Sequence, residues 1–205
     1  LIRGVLPLYE RRGMKWGTEA TIADLLKLHN GRPLIEHMAK AGCRLIYVGI
    51  ESISRELRQR KSTREQAENL IRLAHRLGIM VIGSFILDFN GDETEGEIWE
   101  MVDWATRHVD FAQFSLTALL PGCQLRRQAL MRDEVLPADP ALYDGAHATT
   151  AHGILSPEKR NRLLRESYIR FSRMPDILRR TWHAPRSMAW LVFIASLRYR
   201  KGIPA

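Results

Sequence analysis

The sequence predicts an α/β protein organised on a parallel sheet, and three observations carry that expectation. Four apolar runs suited to strands, at residues 16–20, 45–50, 79–88 and 111–117, are separated by segments of helical periodicity; strands joined by helices of this length pair in parallel through right-handed crossovers. Two of the intervening helices open with a capping box, Thr63 with Gln66 and Thr94 with Glu97, in which a hydroxyl satisfies a free helical amide and the side chain three residues on reaches back. The second and third strands end in polar residues, Glu51-Ser52 and residues 88–92. Ligands gather at that edge of a parallel sheet because its loops vary while the core stays packed.

The elements follow in order. Residues 1–12 place Leu1, Val5 and Leu8 on one helical face, with Gly13 as the stop and Pro7 as an objection to the helix. Residues 14–21 read as a strand anchored by Trp16, with Glu19 near its carboxyl end. The stretch 23–32 has no clear period, and Asn30-Gly31 marks a turn. Pro33 suits a helix start, and Leu34, Ile35, Met38 and Ala41 form an apolar face before Gly42.

In the strand that follows, alternation puts Ile46, Val48 and Ile50 on one side, toward helices, and Tyr47, Gly49 and Glu51 on the other. Gly49 leaves space beside Glu51 for a ligand to approach the backbone. A helix runs to Leu77 with Ala67, Leu70, Ile71 and Ala74 on its apolar stripe, and the next buries Ile98, Met101, Val102 and Ala105. Trp99 and Trp104, five apart, do not share a narrow stripe, so one of them meets a neighbouring segment.

The pattern divides the chain at residue 136. Residues 1–136 carry the strand–helix units, and residues 137–205 are an irregular connector and a mostly helical tail that Ser156-Pro157-Glu158 opens. The formal net charge of +8 belongs to that tail: from Ser156 onward 12 Lys/Arg stand against three Asp/Glu. A basic face of this kind suits nucleic acid or anionic lipid, and is otherwise a solvated surface. Residues 187–197 form an apolar run between Arg186 and Arg198. Eleven residues are too few to span a bilayer, which takes about 20, so the run either lies on a membrane or packs on the body. Peripheral membrane contact through residues 186–201 is one expectation.

Cys43 and Cys123 form no metal-ligand spacing and no disulfide framework, which fits a reducing, cytoplasmic setting. His147 and His152 do not make a helical ligand pair. No metal ligand and no catalytic residue is named from the sequence. A first residue Leu1 with no charged leader fits an internal fragment, and upstream polypeptide is expected.

At Gly49-Ile50-Glu51-Ser52, at residues 85–92, and at residues 110–115 with Pro121-Gly122, the chain resembles radical S-adenosylmethionine (SAM) enzymes. It is most similar to the subgroup that carries a cobalamin-binding domain upstream. Lys15-Trp16, Glu19-Ala20-Thr21-Ile22, Ala41-Gly42-Cys43, residues 142–145 and Ser156-Pro157-Glu158 extend the likeness over roughly residues 10–180.

The resemblance implies the later strands of a partial (β/α) barrel. It implies SAM, a four-iron–four-sulfur (4Fe-4S) cluster held by a CxxxCxxC loop that is not in this chain, and cobalamin as cofactors. The cluster and SAM carry the radical chemistry, and the protein supplies position and dryness. The partners implied are the missing cluster-binding and cobalamin-binding parts, a reductant protein, and a small-molecule or lipid-like substrate.

Carried onto this sequence, the likeness assigns SAM contacts to Glu51, Ser52 and Gly49 at the first central strand, and to Gly83, Asp88 and Phe89 at the next. It also turns Gln113, with Ser115 and Thr117, inward from the last strand near SAM or substrate, and Glu19 toward the cavity from the first, with Gln113 and Glu19 counted among the cofactor-binding residues. Two roles are open to Glu51: SAM ligand, or a carboxylate capping the next helix or paired with Arg55 or Arg58. The chain departs from the pattern at Asp88, Asn90 and Cys123. The competing function is a nucleic-acid-binding or interaction module that uses the basic tail without catalysis.

Overall fold

The computed structural model describes residues 4–52, 63–89, 91–136 and 139–201. Its first helix, α1 (Val5–Arg12), accommodates Pro7 because that residue falls in the first turn, where the backbone amides have no partner within the helix. Strand β1 (Trp16–Ala20) follows. Trp16 anchors it: the indole Nε1 donates to Ala41 O at 2.8 Å, and the ring meets Tyr9 edge-on at 5.5 Å.

The stretch without a clear period resolves into a short helix, α2 (Ile22–Leu26), and a hairpin of β2 (Leu28–His29) with β3 (Arg32–Pro33). Asn30 and Gly31, at φ 52° and 76°, form its two-residue turn; left-handed residues at both positions match the twist of the flanking strands. Helix α3 (Leu34–Lys40) ends before Gly42, which has φ 92°, and a β-carbon there would stand 1.9 Å from the Met14 carbonyl oxygen.

The remaining elements are β4 (Cys43–Glu51), α4 (Arg64–Arg76), β5 (Met80–Leu87), α5 (Glu95–His108), β6 (Phe111–Leu116), α6 (Gln124–Met131), a short 3-10 turn (Pro140–Leu142), α7 (Pro157–Phe171), α8 (Met174–His183) and α9 (Ala189–Lys201). Both capping boxes form, on α4 and α5. The four long strands make one parallel sheet in the order β1-β4-β5-β6, so each strand lies beside the next in sequence.

The sheet has two unlike faces. Ile46, Val48, Ile50, Val81, Phe85, Leu87, Ala112, Phe114 and Leu116 are buried, and they share one core with Ile35 and Met38 of α3, Leu70 and Ala74 of α4, and Ile98 and Val102 of α5. Trp104 is fully buried there, with its indole N–H on Glu68 of α4, whereas Trp99 is half-buried under the Arg170 guanidinium. Leu163, Leu164 and Phe171 of α7 join the same core, so the tail helix completes the body.

Among the described residues, the other face has its apolar cover at its lower end. Leu45, Met80 and Phe111 pack against Ala184, Met188 and Val192 from the α8–α9 corner. The exposed edge of β6 is sealed by tyrosines. Tyr168 of α7 accepts from Phe114 N and donates to Phe114 O, and Tyr199 of α9 donates to Ala112 O. Unpaired strand edges otherwise recruit further strands.

Candidate functional site

With the amino-terminal end of the inner face filled, its polar groups lie toward the carboxyl ends of the strands. Pairing fixes their level. Glu19 stands opposite Tyr47, and Gly49, Ser84 and Gln113 are level across β4, β5 and β6. Glu19 and Gln113 are exposed, and Tyr47, Ser84 and Glu51 are partly so. The Tyr47 hydroxyl donates to Gln113 Oε1 at 3.0 Å. Sequence reasoning placed Tyr47 on this face without assigning it a contact and passed over Ser84, although a hydroxyl inside an otherwise apolar strand marks a surface that is not core.

Glu51 ends β4 in a left-handed conformation, φ 67°, where the strand register slips. Non-glycine residues held there cost of order 1–3 kcal/mol and cluster at ligand sites. A β-carbon on Gly49 would come within 3.0 Å of Glu51 Oε1, so the carboxylate folds back over the glycine onto the inner face. Arg55 and Arg58, the alternative partners of Glu51, lie outside the described residues.

The loops beyond the strands are tied together. Ser52 Oγ donates to Glu93 Oε1 at 2.7 Å; Glu93 Oε2 accepts from Asp88 N at 2.8 Å, and Asp88 Oδ1 accepts from Glu93 N at 3.2 Å. Ser52 therefore links β4 to the β5 loop. Glu93, which carries both links, gave no sequence signal because its partners follow different strands. The Phe89 carbonyl accepts from Thr117 Oγ1 at 3.4 Å, joining the ends of β5 and β6, and Ser115 Oγ donates to Phe85 O at 3.4 Å.

Two of the expected contacts are placed elsewhere. Gly83 lies on the helix-facing side, where a β-carbon would meet Phe85 and Ile50 within 3.0 Å. It makes room in the core and contributes no surface to the inner face. Asp88 is 3% exposed, and its Oδ2 sits 3.7 Å from Nε of Arg160, itself 5% exposed, on α7. Burial raises the Asp88 carboxyl above its ordinary range, outweighing the opposite pull of the Glu93 amide and Arg160; burial also lowers the Arg160 guanidinium. Asp88 holds the tail to the β5 loop. Beside it a cavity of about 200 Å³ opens between Phe89, Thr117, Leu119 and Thr150.

These residues suit a polar organic ligand laid across the strand ends. Carboxylates at Glu19 and Glu51 accept from an ammonium or a ribose diol, and Tyr47, Ser84 and Gln113 add hydrogen bonds. They do not suit an iron–sulfur cluster. Cys43 is buried at the amino-terminal end of β4, its thiol raised by burial, and Cys123 caps α6 by accepting from Arg126 N. Among the described residues no group of three or more His, Cys, Asp or Glu is arranged to hold a metal ion. His147 and His152 instead pair with Asp144 and Glu134.

Residues 15–105 match the family model described as the radical SAM superfamily. An uncharacterized methyltransferase of Pyrococcus horikoshii, PH0819, is 29% identical over 145 residues, covering 69% of this chain and 31% of that protein. The chain thus spans under a third of the length of that relative. Among solved structures, the radical S-adenosylmethionine methyltransferase TsrM from Kitasatospora setae, with cobalamin and a 4Fe-4S cluster bound, is 21% identical at a TM-score of 0.43. That alignment covers 56% of this chain and 24% of that one. The cobalamin-dependent S-adenosylmethionine radical enzyme OxsB, with aqua-cobalamin bound, is 20% identical at a TM-score of 0.39, over 57% of this chain and 18% of that one.

Proposed function

We propose, from the match of residues 15–105 to the radical SAM superfamily model, that the chain is the later wall of a partial (β/α) barrel that binds SAM at the carboxyl ends of β4, β5 and β6. The complete protein cleaves SAM reductively at a 4Fe-4S cluster to start radical chemistry. The cluster ligands belong to polypeptide other than the described residues, and a reductant protein supplies the electron. Cobalamin is the second cofactor on this reading, as the sequence resemblance implies. The relative's name supports methyl transfer as the reaction class; the substrate is a small or lipid-like molecule that the inner face does not identify.

One observation carries the reading: Glu51 is held in a strained conformation at a strand end, with its carboxylate folded over Gly49 on the same face as Glu19, Tyr47 and Gln113. In this role Glu51 accepts from the SAM ammonium or ribose, Tyr47 and Gln113 line the wall beside it, and Phe89 meets the adenine.

The test is Glu51→Gln in the complete, cluster-loaded protein, with SAM affinity read by calorimetry. A charge-assisted hydrogen bond is worth ~1.5–3 kcal/mol, so Kd rises about tenfold or more. Unchanged SAM affinity, with an intact cluster, removes Glu51 from the site; no SAM binding by the unaltered protein removes the function.

A further inference from the structure

Helix α9 is apolar on both of its sides. One side turns inward: Val192 and Ser196 are buried, and Tyr199 bonds to β6. The other side presents Trp190 and Leu191, with Ile194 and Leu197 partly exposed one and two turns on. Ile194 and Leu197 line a shallow surface hollow together with Arg198, Arg200 and Lys201. A surface helix normally gives its outer side to polar residues, and one that is apolar all round expects a second cover.

The neighbouring α8 adds to this surface. Leu178 and Trp182, one turn apart, both point out, and Trp182 at 86% and Trp190 at 73% are the most exposed tryptophans among the described residues. The two lie on either side of the α8–α9 turn, with exposed Arg186 between them.

The charge around the patch is one-sided. From Ile177 to the last residue there is no Asp or Glu, while Arg179, Arg186, Arg198, Arg200 and Lys201 are all exposed. Exposed tryptophan and leucine ringed by cations, with nothing acidic to repel phosphate, is the composition of a helix lying in the headgroup region of an anionic bilayer. No helix among the described residues is long and apolar enough to cross a membrane. We infer that the outward side of the α8–α9 corner, centred on Trp182, Trp190 and Ile194, docks on an anionic membrane surface, with Arg186, Arg198, Arg200 and Lys201 on lipid phosphates. This inference is independent of the SAM site, which lies at the opposite ends of the strands.

The experiment is vesicle flotation of the complete protein with phosphatidylcholine alone and with phosphatidylcholine containing phosphatidylglycerol. Retention is expected on the anionic vesicles, is lost at high salt, and is weak on the neutral ones. Trp190→Glu, and separately Arg198→Glu with Lys201→Glu, each lower partitioning about tenfold or more, with unchanged circular dichroism and melting temperature. Trp182→Glu, on the other helix, serves as the second variant should Trp190→Glu disturb folding.

No retention on anionic vesicles overturns the proposal, as does equal retention on both vesicle types or retention unaffected by the variants. Shielding of Trp190 from an aqueous quencher in the lipid-free protein also overturns it, by showing that other polypeptide covers the patch.

Discussion

Tyr47 and Gln113 bridge β5: the tyrosine on β4 reaches over the intervening strand to the amide on β6, hydroxyl to Oε1 at 3.0 Å. The bond lies on the solvent-facing side and ties together two strands that share no ladder. Tyr47→Phe removes the donor and leaves the sheet intact. The expected result is SAM affinity lowered about three- to tenfold, with a change in unfolding free energy below ~1 kcal/mol. Calorimetry and thermal denaturation read the two separately; a large stability loss with unchanged affinity would make the bond a strut only.

Gly42 is where the chain passes from α3 into β4 beneath the Met14 carbonyl. Gly42→Ala meets both a left-handed backbone, φ 92°, and a contact of 1.9 Å. Strain and displacement together cost about 2–4 kcal/mol, measurable as a shift in the denaturant midpoint. A neutral result would show that the α3–β4 junction relaxes freely.

Asp88 and Arg160 form a buried pair whose members are both penalised by burial more than they gain from each other. Arg160→Met strands the Asp88 charge and destabilises by about 3 kcal/mol at neutral pH, because an unpartnered buried charge costs more than the pair gains. The pH dependence follows from the direction of the shift. The folded-state value of Asp88 lies above its unfolded value, so its contribution is fully present below the unfolded value and is lost as pH rises through the folded one. Compared with Asp88→Asn, the parent protein is therefore relatively more stable in acid, and the difference shrinks toward neutrality. Urea titrations of both proteins across that range check the sign.

Tyr168 satisfies both the N–H and the C=O of Phe114 on the free edge of β6, and burial raises its hydroxyl above the ordinary phenol range. Tyr168→Phe leaves two backbone groups without a partner and costs about 2–3 kcal/mol. It also opens an edge onto which a second chain can add. Unfolding midpoints and light scattering on warming report the two effects; unchanged values would mean that Tyr199 alone seals the strand.

The four strands, their parallel sense, both capping boxes and the stop before β4 were legible in residues 1–136, because alternation, hydroxyl caps and left-handed glycines act over a few residues. Alternation on β4 likewise separates Ile46, Val48 and Ile50 from Tyr47, Gly49 and Glu51 in the sequence alone. It failed on β5, whose residues are nearly all apolar, so only packing against Ile50 and Phe85 decided that Gly83 faces the helices. The Asp88–Arg160 pair, the Ser52–Glu93 link and the burial of Leu45, Met80 and Phe111 beneath α9 join residues far apart in the chain. Local propensity does not register such contacts, since their free energy appears only once the helices have docked. The sequence by itself thus determined which elements form and which end of the sheet is polar; tertiary packing decided which polar groups face the open side of the sheet and which hold the body together.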